Sequence, residues 1–249
     1  MRKIFRNVLI GLAMILVVAV IGIAIYVQPL PAKDSAKAAL SSNVSVTVTD
    51  SGNQIVFMPA KTPKKALIFY PGAKVDPVAY SEAMQAIAQA GYAVFLEKFP
   101  LNFAIIQPNR ADEVIAANPS IANWAIAGHS LGGASACLYT KNSSKVGASK
   151  IRALIFWAAY CDKSFDLSSR TDVQVTSISG SLDALATPET VESTKVFAPS
   201  STKYVVVTGG NHAQFGNYGV QSGDNPATIL LAEQQKQVIA ATISALSGL

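Results

Sequence analysis

The chain has 249 residues, half of them hydrophobic, and a formal net charge of +5. Arg2, Lys3 and Arg6 supply three of those charges, which leaves +2 for the rest, with no basic block larger than the pair Lys64-Lys65. Polyanion binding needs a basic stripe, so a nucleic-acid partner is excluded, and two cysteines are too few for a disulfide framework.

The first element is an uncharged run from Val8 to Val27. About twenty apolar residues suffice to cross a bilayer as a helix, and the basic residues before it orient the N-terminus to the cytoplasm. A cleaved signal peptide is the alternative, but its apolar core is usually shorter, about 7–15 residues. The nearest small-x-small site, Ala36-Lys37-Ala38, also lies well beyond the run. The expectation is a transmembrane anchor, or uncleaved signal, over 1–28, with the membrane as a partner and the remaining chain extracytoplasmic. Secretion after cleavage is the other outcome. Residues 29–42, rich in Pro, Ala, Lys and Ser, read as a linker, and 43–249 as one domain with a sizeable core.

Within that domain, Val44–Thr49 alternates hydroxyl and apolar side chains, as a strand with one wet face does. The turn cluster Asp50-Ser51-Gly52-Asn53 joins it to Ile55–Met58 as a hairpin. Short continuous apolar runs follow: Ala66–Tyr70, Ala93–Leu96, Trp124–Ala127, Ala153–Trp157, Val175–Ser179 and Tyr204–Val207. Between and after them the spacing predicts helices over Pro77–Ala90, Asn109–Ala117, Leu131–Thr140, Pro188–Val196 and Glu233–Leu246. Strands apolar on both faces, alternating with helices, imply an α/β fold whose mostly parallel sheet carries helices on both faces. The opening hairpin forms an antiparallel edge.

Directly after the strand Trp124–Ala127 stands Gly128-His129-Ser130-Leu131-Gly132, and a helix follows. Gly-x-Ser-x-Gly between strand and helix is the setting in which a sharp turn presents a nucleophilic serine. Its hydroxyl needs a base near neutral pH. The chain has two histidines. His129 immediately precedes the serine and is badly placed to reach its neighbour's hydroxyl. His212 lies after the final strand, at the end of the sheet where open α/β folds hold ligands. An acid must orient that imidazole. Asp183, one strand earlier in Gly180-Ser181-Leu182-Asp183, is favoured, with Asp162 as the rival. No His, Cys or carboxylate cluster has ligand spacing, so neither metal nor cofactor is expected.

These pieces, with Phe69-Tyr70-Pro71-Gly72-Ala73 and Gly209-Gly210-Asn211-His212-Ala213, resemble the α/β-hydrolase superfamily. The resemblance covers nearly all of Val44 to Leu249. Within the superfamily the chain is similar to the compact, lidless group related to dienelactone hydrolases. Those enzymes use a cysteine nucleophile where this chain has Ser130, so their substrate does not transfer. The resemblance implies an oxyanion hole made by the backbone NH groups of Ala73 and Leu131, with Gly72 allowing close approach. It also implies an open site, since Trp157 to Val175 is too short for a cap. Candidate substrate contacts are Gly72, Asn102, Tyr160 and Phe215.

The expected activity is hydrolysis of small-molecule carboxylic esters through an acyl-enzyme on Ser130. Two alternatives share the same residues: a membrane-tethered acyltransferase, and an inactive hydrolase-fold binding module. Cys137 and Cys161 are expected as buried thiols, the commoner state of Cys, although an oxidising compartment permits a bridge.

Overall fold

The computed structural model describes residues 5, 9, 11–18, 22, 28–142 and 147–249. The expected anchor falls largely outside the described residues. Among the described residues, no helix is long and apolar enough to cross a membrane.

Eight strands form one sheet: β1 (Val46–Asp50), β2 (Gln54–Pro59), β3 (Lys65–Tyr70), β4 (Ala93–Glu97), β5 (Asn123–His129), β6 (Ile151–Trp157), β7 (Gln174–Gly180) and β8 (Lys203–Val207). Their spatial order is β1-β2-β4-β3-β5-β6-β7-β8. β1 pairs antiparallel with β2, and β2 antiparallel with β4; every later pair is parallel. The hairpin therefore occupies one edge, as its half-polar pattern requires; β8, despite its apolar run, forms the other edge, where Tyr204 and Val206 are exposed, and the remaining apolar strands lie between.

The helices are α1 (Asp34–Ala38), α2 (Ser81–Gln89), α3 (Ala111–Ala117), α4 (Leu131–Lys141), α5 (Pro188–Thr194) and α6 (Leu231–Ser247). Two hydrophobic clusters cover the two faces of the sheet. Met84 and Ile87 of α2 and Val238 and Leu246 of α6 pack with Ala125 and Ala127 of β5. On the other face, Val114 and Ile115 of α3 and Ala136 and Tyr139 of α4 pack with Trp124 and Ile126. The alternation along β5 is the period-two consequence of the pleat. The helix expected from Pro77 starts as a 3-10 turn, Pro77–Tyr80, with the Asp76 side chain accepting from Val78 N at 3.0 Å.

Two expectations are corrected. Residues 29–42 do not form a free linker. Leu30 pairs with Val75, and α1 buries Ala36 while Ala32 is buried just before it. Gln85 Nε2 donates to the carbonyls of Ala39 and Ser41, both at 3.0 Å. Ala32 and Ala36 are small and four apart, so one face of this otherwise polar stretch fits against α2. Composition hides that face. Second, Cys137 and Cys161 are joined as a disulfide, with Cα atoms 6.2 Å apart. β5 and β6 are parallel neighbours, so the helix following one and the loop following the other lie side by side. Sequence separation does not reveal that proximity.

Candidate active site

The site lies at the C-terminal ends of the parallel strands. Ser130 occupies the turn between β5 and α4 with φ 52° and ψ −124°, left-handed values that a residue with a Cβ rarely adopts. Two hydrogen bonds hold it there: its NH donates to Trp157 O at 3.0 Å, and its carbonyl accepts from Ala134 N at 3.1 Å. The turn closes because its neighbours lack side chains. A Cβ on Gly128 would lie 2.4 Å from the carbonyl carbon of Gly132, and one on Gly132 only 2.1 Å from Tyr70 O. The first turn of α4, with its free amides and positive dipole end, begins at Leu131.

β7 and β8 are parallel neighbours, so the loops leaving them meet. His212 Nδ1 donates to Asp183 Oδ2 at 2.8 Å, with both side chains buried. Asp183 Oδ1 accepts from Leu185 N at 2.8 Å and Ala186 N at 2.7 Å. Because Nδ1 donates to an oxygen that can only accept, the neutral ring leaves Nε2 as the acceptor. Among the described residues Nε2 has no hydrogen-bond partner. Ser130, Leu131, Tyr160 and His212 line one cavity of about 330 Å³, with Leu185 and Phe165 among the other walls. Asp162 also borders it, but its carboxylate is taken by Ser164 N at 2.6 Å and Phe165 N at 3.2 Å.

Three of the expected substrate contacts are placed elsewhere. Gly72 is buried and its NH donates to Tyr80 Oη at 3.0 Å, so the amide is already spent. The carbonyl of Asn102 accepts from Lys74 N at 2.9 Å, which braces the turn carrying Ala73. Phe215 is buried and stacks on His129 with centroids 5.6 Å apart, beneath the site. These three support the loops around the cavity; Tyr160 is the one that forms a wall. Ala73, half-buried, follows Gly72 in the same turn.

Several supports carry no sequence signal. The Tyr80 hydroxyl, accepting from Gly72, donates its one proton to His129 Nδ1 at 2.8 Å. His129 thus links the turn after β3 to the serine's own turn, and its ring lies 4.6 Å from that of His212. Burial, with a smaller push from neighbouring His212, holds the His129 imidazole well below its ordinary pKa, so it stays neutral. Asp224 bridges the two loops that carry Asp183 and His212. Its Oδ2 accepts from Ala213 N at 2.8 Å and its Oδ1 from Ala184 N at 3.2 Å. Gln234, fully buried on α6, brackets Asn211 by accepting from its NH at 3.0 Å and donating to its carbonyl at 2.7 Å. Among the described residues, no three His, Cys, Asp or Glu side chains gather so as to hold a metal ion.

The sequence profile of the alpha/beta hydrolase family matches residues 66–237. No curated protein matches the chain. Among solved structures, a dienelactone hydrolase-like promiscuous phosphotriesterase from metagenomic libraries superposes with a TM-score of 0.58 at 15% identity, over 82% of this chain and 99% of that one. A predicted CIB-like hydrolase from Thermoplasma acidophilum gives 0.56 at 14% identity, over 84% and 100%. An esterase from Pyrobaculum calidifontis gives 0.58 at 13% identity, over 85% and 87%.

Proposed function

The chain belongs to the alpha/beta hydrolase family, and from that premise we propose that it is a carboxylic ester hydrolase acting through Ser130, His212 and Asp183. One observation carries the reading: Ser130, in its strained turn, shares a cavity with His212, whose opposite nitrogen is held by buried Asp183. His212 Nε2 takes the proton from Ser130 Oγ as the hydroxyl attacks the ester carbonyl. The same nitrogen then delivers that proton to the departing alkoxide, leaving an acyl-serine. A water, deprotonated in the same way, releases the acid. The NH of Leu131, at the positive end of α4, and the NH of Ala73 stabilise the tetrahedral oxyanion. Asp183 keeps the imidazole in the reactive tautomer.

The esterase from Pyrobaculum calidifontis adds support at the level of the fold. The apolar run 8–27 and its basic leader support a tether with the catalytic domain outside the cytoplasm. A disulfide between Cys137 and Cys161 is consistent with an oxidising compartment.

The test is to purify the full chain in detergent and offer short p-nitrophenyl esters alongside a fluorophosphonate probe. Covalent labelling at Ser130 and turnover of the esters are expected. Ser130→Ala abolishes labelling and lowers turnover by about 10⁴-fold or more. Labelling elsewhere, or turnover unchanged in the variant, overturns the assignment.

A further inference from the structure

The tether is much shorter than composition implies. Between Val27, the last residue of the apolar run, and Leu30, the first docked residue, stand only Gln28 and Pro29. Three residues at full extension cover about 10 Å. A bilayer-spanning run that ends at Val27 therefore holds Leu30 close to the membrane surface.

Leu30 is fixed beside the site. Its NH donates to Lys74 O, and its carbonyl accepts from Asp76 N at 3.0 Å, both in the turn that carries Ala73. Lys74 N donates to Asn102 O, which joins that turn to the loop after β4. Lys33 N donates to Asn217 O at 2.9 Å, which joins the entering chain to the segment after His212. Everything the tether touches first is thus at the end of the sheet where the cavity opens.

The same end exposes large apolar side chains. Leu101 (57%), Ile105 (38%) and Ile106 (51%) follow β4, Leu185 (40%) follows β7, and Val220 (95%) and Leu230 (79%) follow β8. Val44, Val196 and Val206 are exposed elsewhere, and isolated exposed apolar residues are ordinary, but six on the loops of one end, next to an apolar run, mark an interaction surface. We propose that this end of the domain rests on a lipid bilayer. The Ser130 cavity then opens toward the membrane surface and takes an acyl ester dissolved in the bilayer, in preference to one free in water. The inference rests on the tether and on the serine mechanism proposed above.

The full chain is reconstituted in phosphatidylcholine–phosphatidylglycerol vesicles, with an environment-sensitive dye on Ile106→Cys, Val220→Cys or, at the opposite end of β3, Lys64→Cys. A nitroxide-acyl lipid should quench the dye at 106 and 220 and leave it bright at 64. The pair Ile105→Ser/Ile106→Ser should keep turnover of water-soluble p-nitrophenyl acetate and lose roughly tenfold on a long-chain ester carried in the vesicles. Flotation with the vesicles, and fluorophosphonate labelling of Ser130, monitor the two underlying readings separately. If the chain floats and labels but the rim dyes stay as bright as the control, or the paired variant treats both esters alike, the membrane-facing site is wrong. A chain that does not float removes the tether itself, and with it the proposal.

Discussion

Ser130 keeps a left-handed backbone because Gly128 and Gly132 let chain segments approach to distances that a Cβ would block. The strain is retained because Trp157 of β6 accepts from its NH and Ala134 of α4 donates to its carbonyl. At the proposed acid position, the geometry agrees with the preference for Asp183 over its rival Asp162 already read from the sequence. Asp183 faces His212 and is itself held by two amides, while Asp162 spends its carboxylate on a 3-10 turn. Asp183→Asn is expected to lower kcat about 10⁴-fold by releasing the wrong tautomer, with Asp162→Asn within a few-fold of the parent. Steady-state kinetics on the two variants decide it, and the opposite ranking would move the acid to Asp162. Tyr80 acts through others. Tyr80→Phe removes the acceptor for Gly72 and the donor to His129, so the turn bearing Ala73 loosens from the turn bearing Ser130. A drop in kcat of roughly tenfold with KM nearly unchanged is expected, since small misplacements of this kind act on the transition state.

Among the elements, the loops after β7 and β8 are the ones whose mutual position matters most. They lie together because the strands are parallel neighbours, but adjacency of strands alone does not fasten one loop to the other. Asp224 does, by accepting from Ala184 on one loop and Ala213 on the other. Asp224→Ala leaves those part-buried amides short of an acceptor, which costs on the order of 1 kcal/mol. Faster hydrogen exchange at 184–186 and 213–215, together with reduced turnover, is the expected result. Unchanged exchange would show that Asp183 and His212 are held by their own loops alone. Helix α4 is pinned in a different way, by its bond from Cys137 to Cys161 on the loop that also provides Tyr160. One wall of the cavity is thereby tied covalently to the helix that begins at the serine.

For the molecule as a whole, one buried charge stands apart from the site. Glu97 ends β4 with 1% exposure, 3.3 Å from Arg110 Nε, and its Oε1 has no partner among the described residues. Burial pushes its carboxyl up to about 7, against a partial opposing pull from Arg110. Its pKa is higher folded than unfolded, so between about 4.5 and 7 the folded chain binds the extra proton. Stability should therefore fall as pH rises through that window. Glu97→Gln should flatten the dependence and gain on the order of 2 kcal/mol relative to the parent at pH 8 compared with pH 5, read by urea melts. Parallel melts at the two pH values would contradict the burial argument.

What the sequence determined by itself was whatever rests on local pattern or on scarcity. Runs such as Ala66–Tyr70 and Trp124–Ala127 read as strands because burial on both faces makes them continuously apolar, and the structure has β3 and β5 there. The loop of His212 was legible because, of two histidines, one was sterically compromised, and Asp183 because it stood one strand earlier. Tertiary structure decided whatever depends on which segments meet. Ala32 and Ala36 make a docking face only once α2 is beside them, so a linker in composition is a packed segment in space. Cys137 and Cys161 bond because β5 and β6 are neighbours. Gly72, Asn102 and Phe215 carry no mark in sequence of whether they face substrate or brace the loops that do. Asp224 sits in a run of turn residues with nothing to show that two distant amides converge on it. Local propensity is written residue by residue; the partner a polar group finds after folding is not.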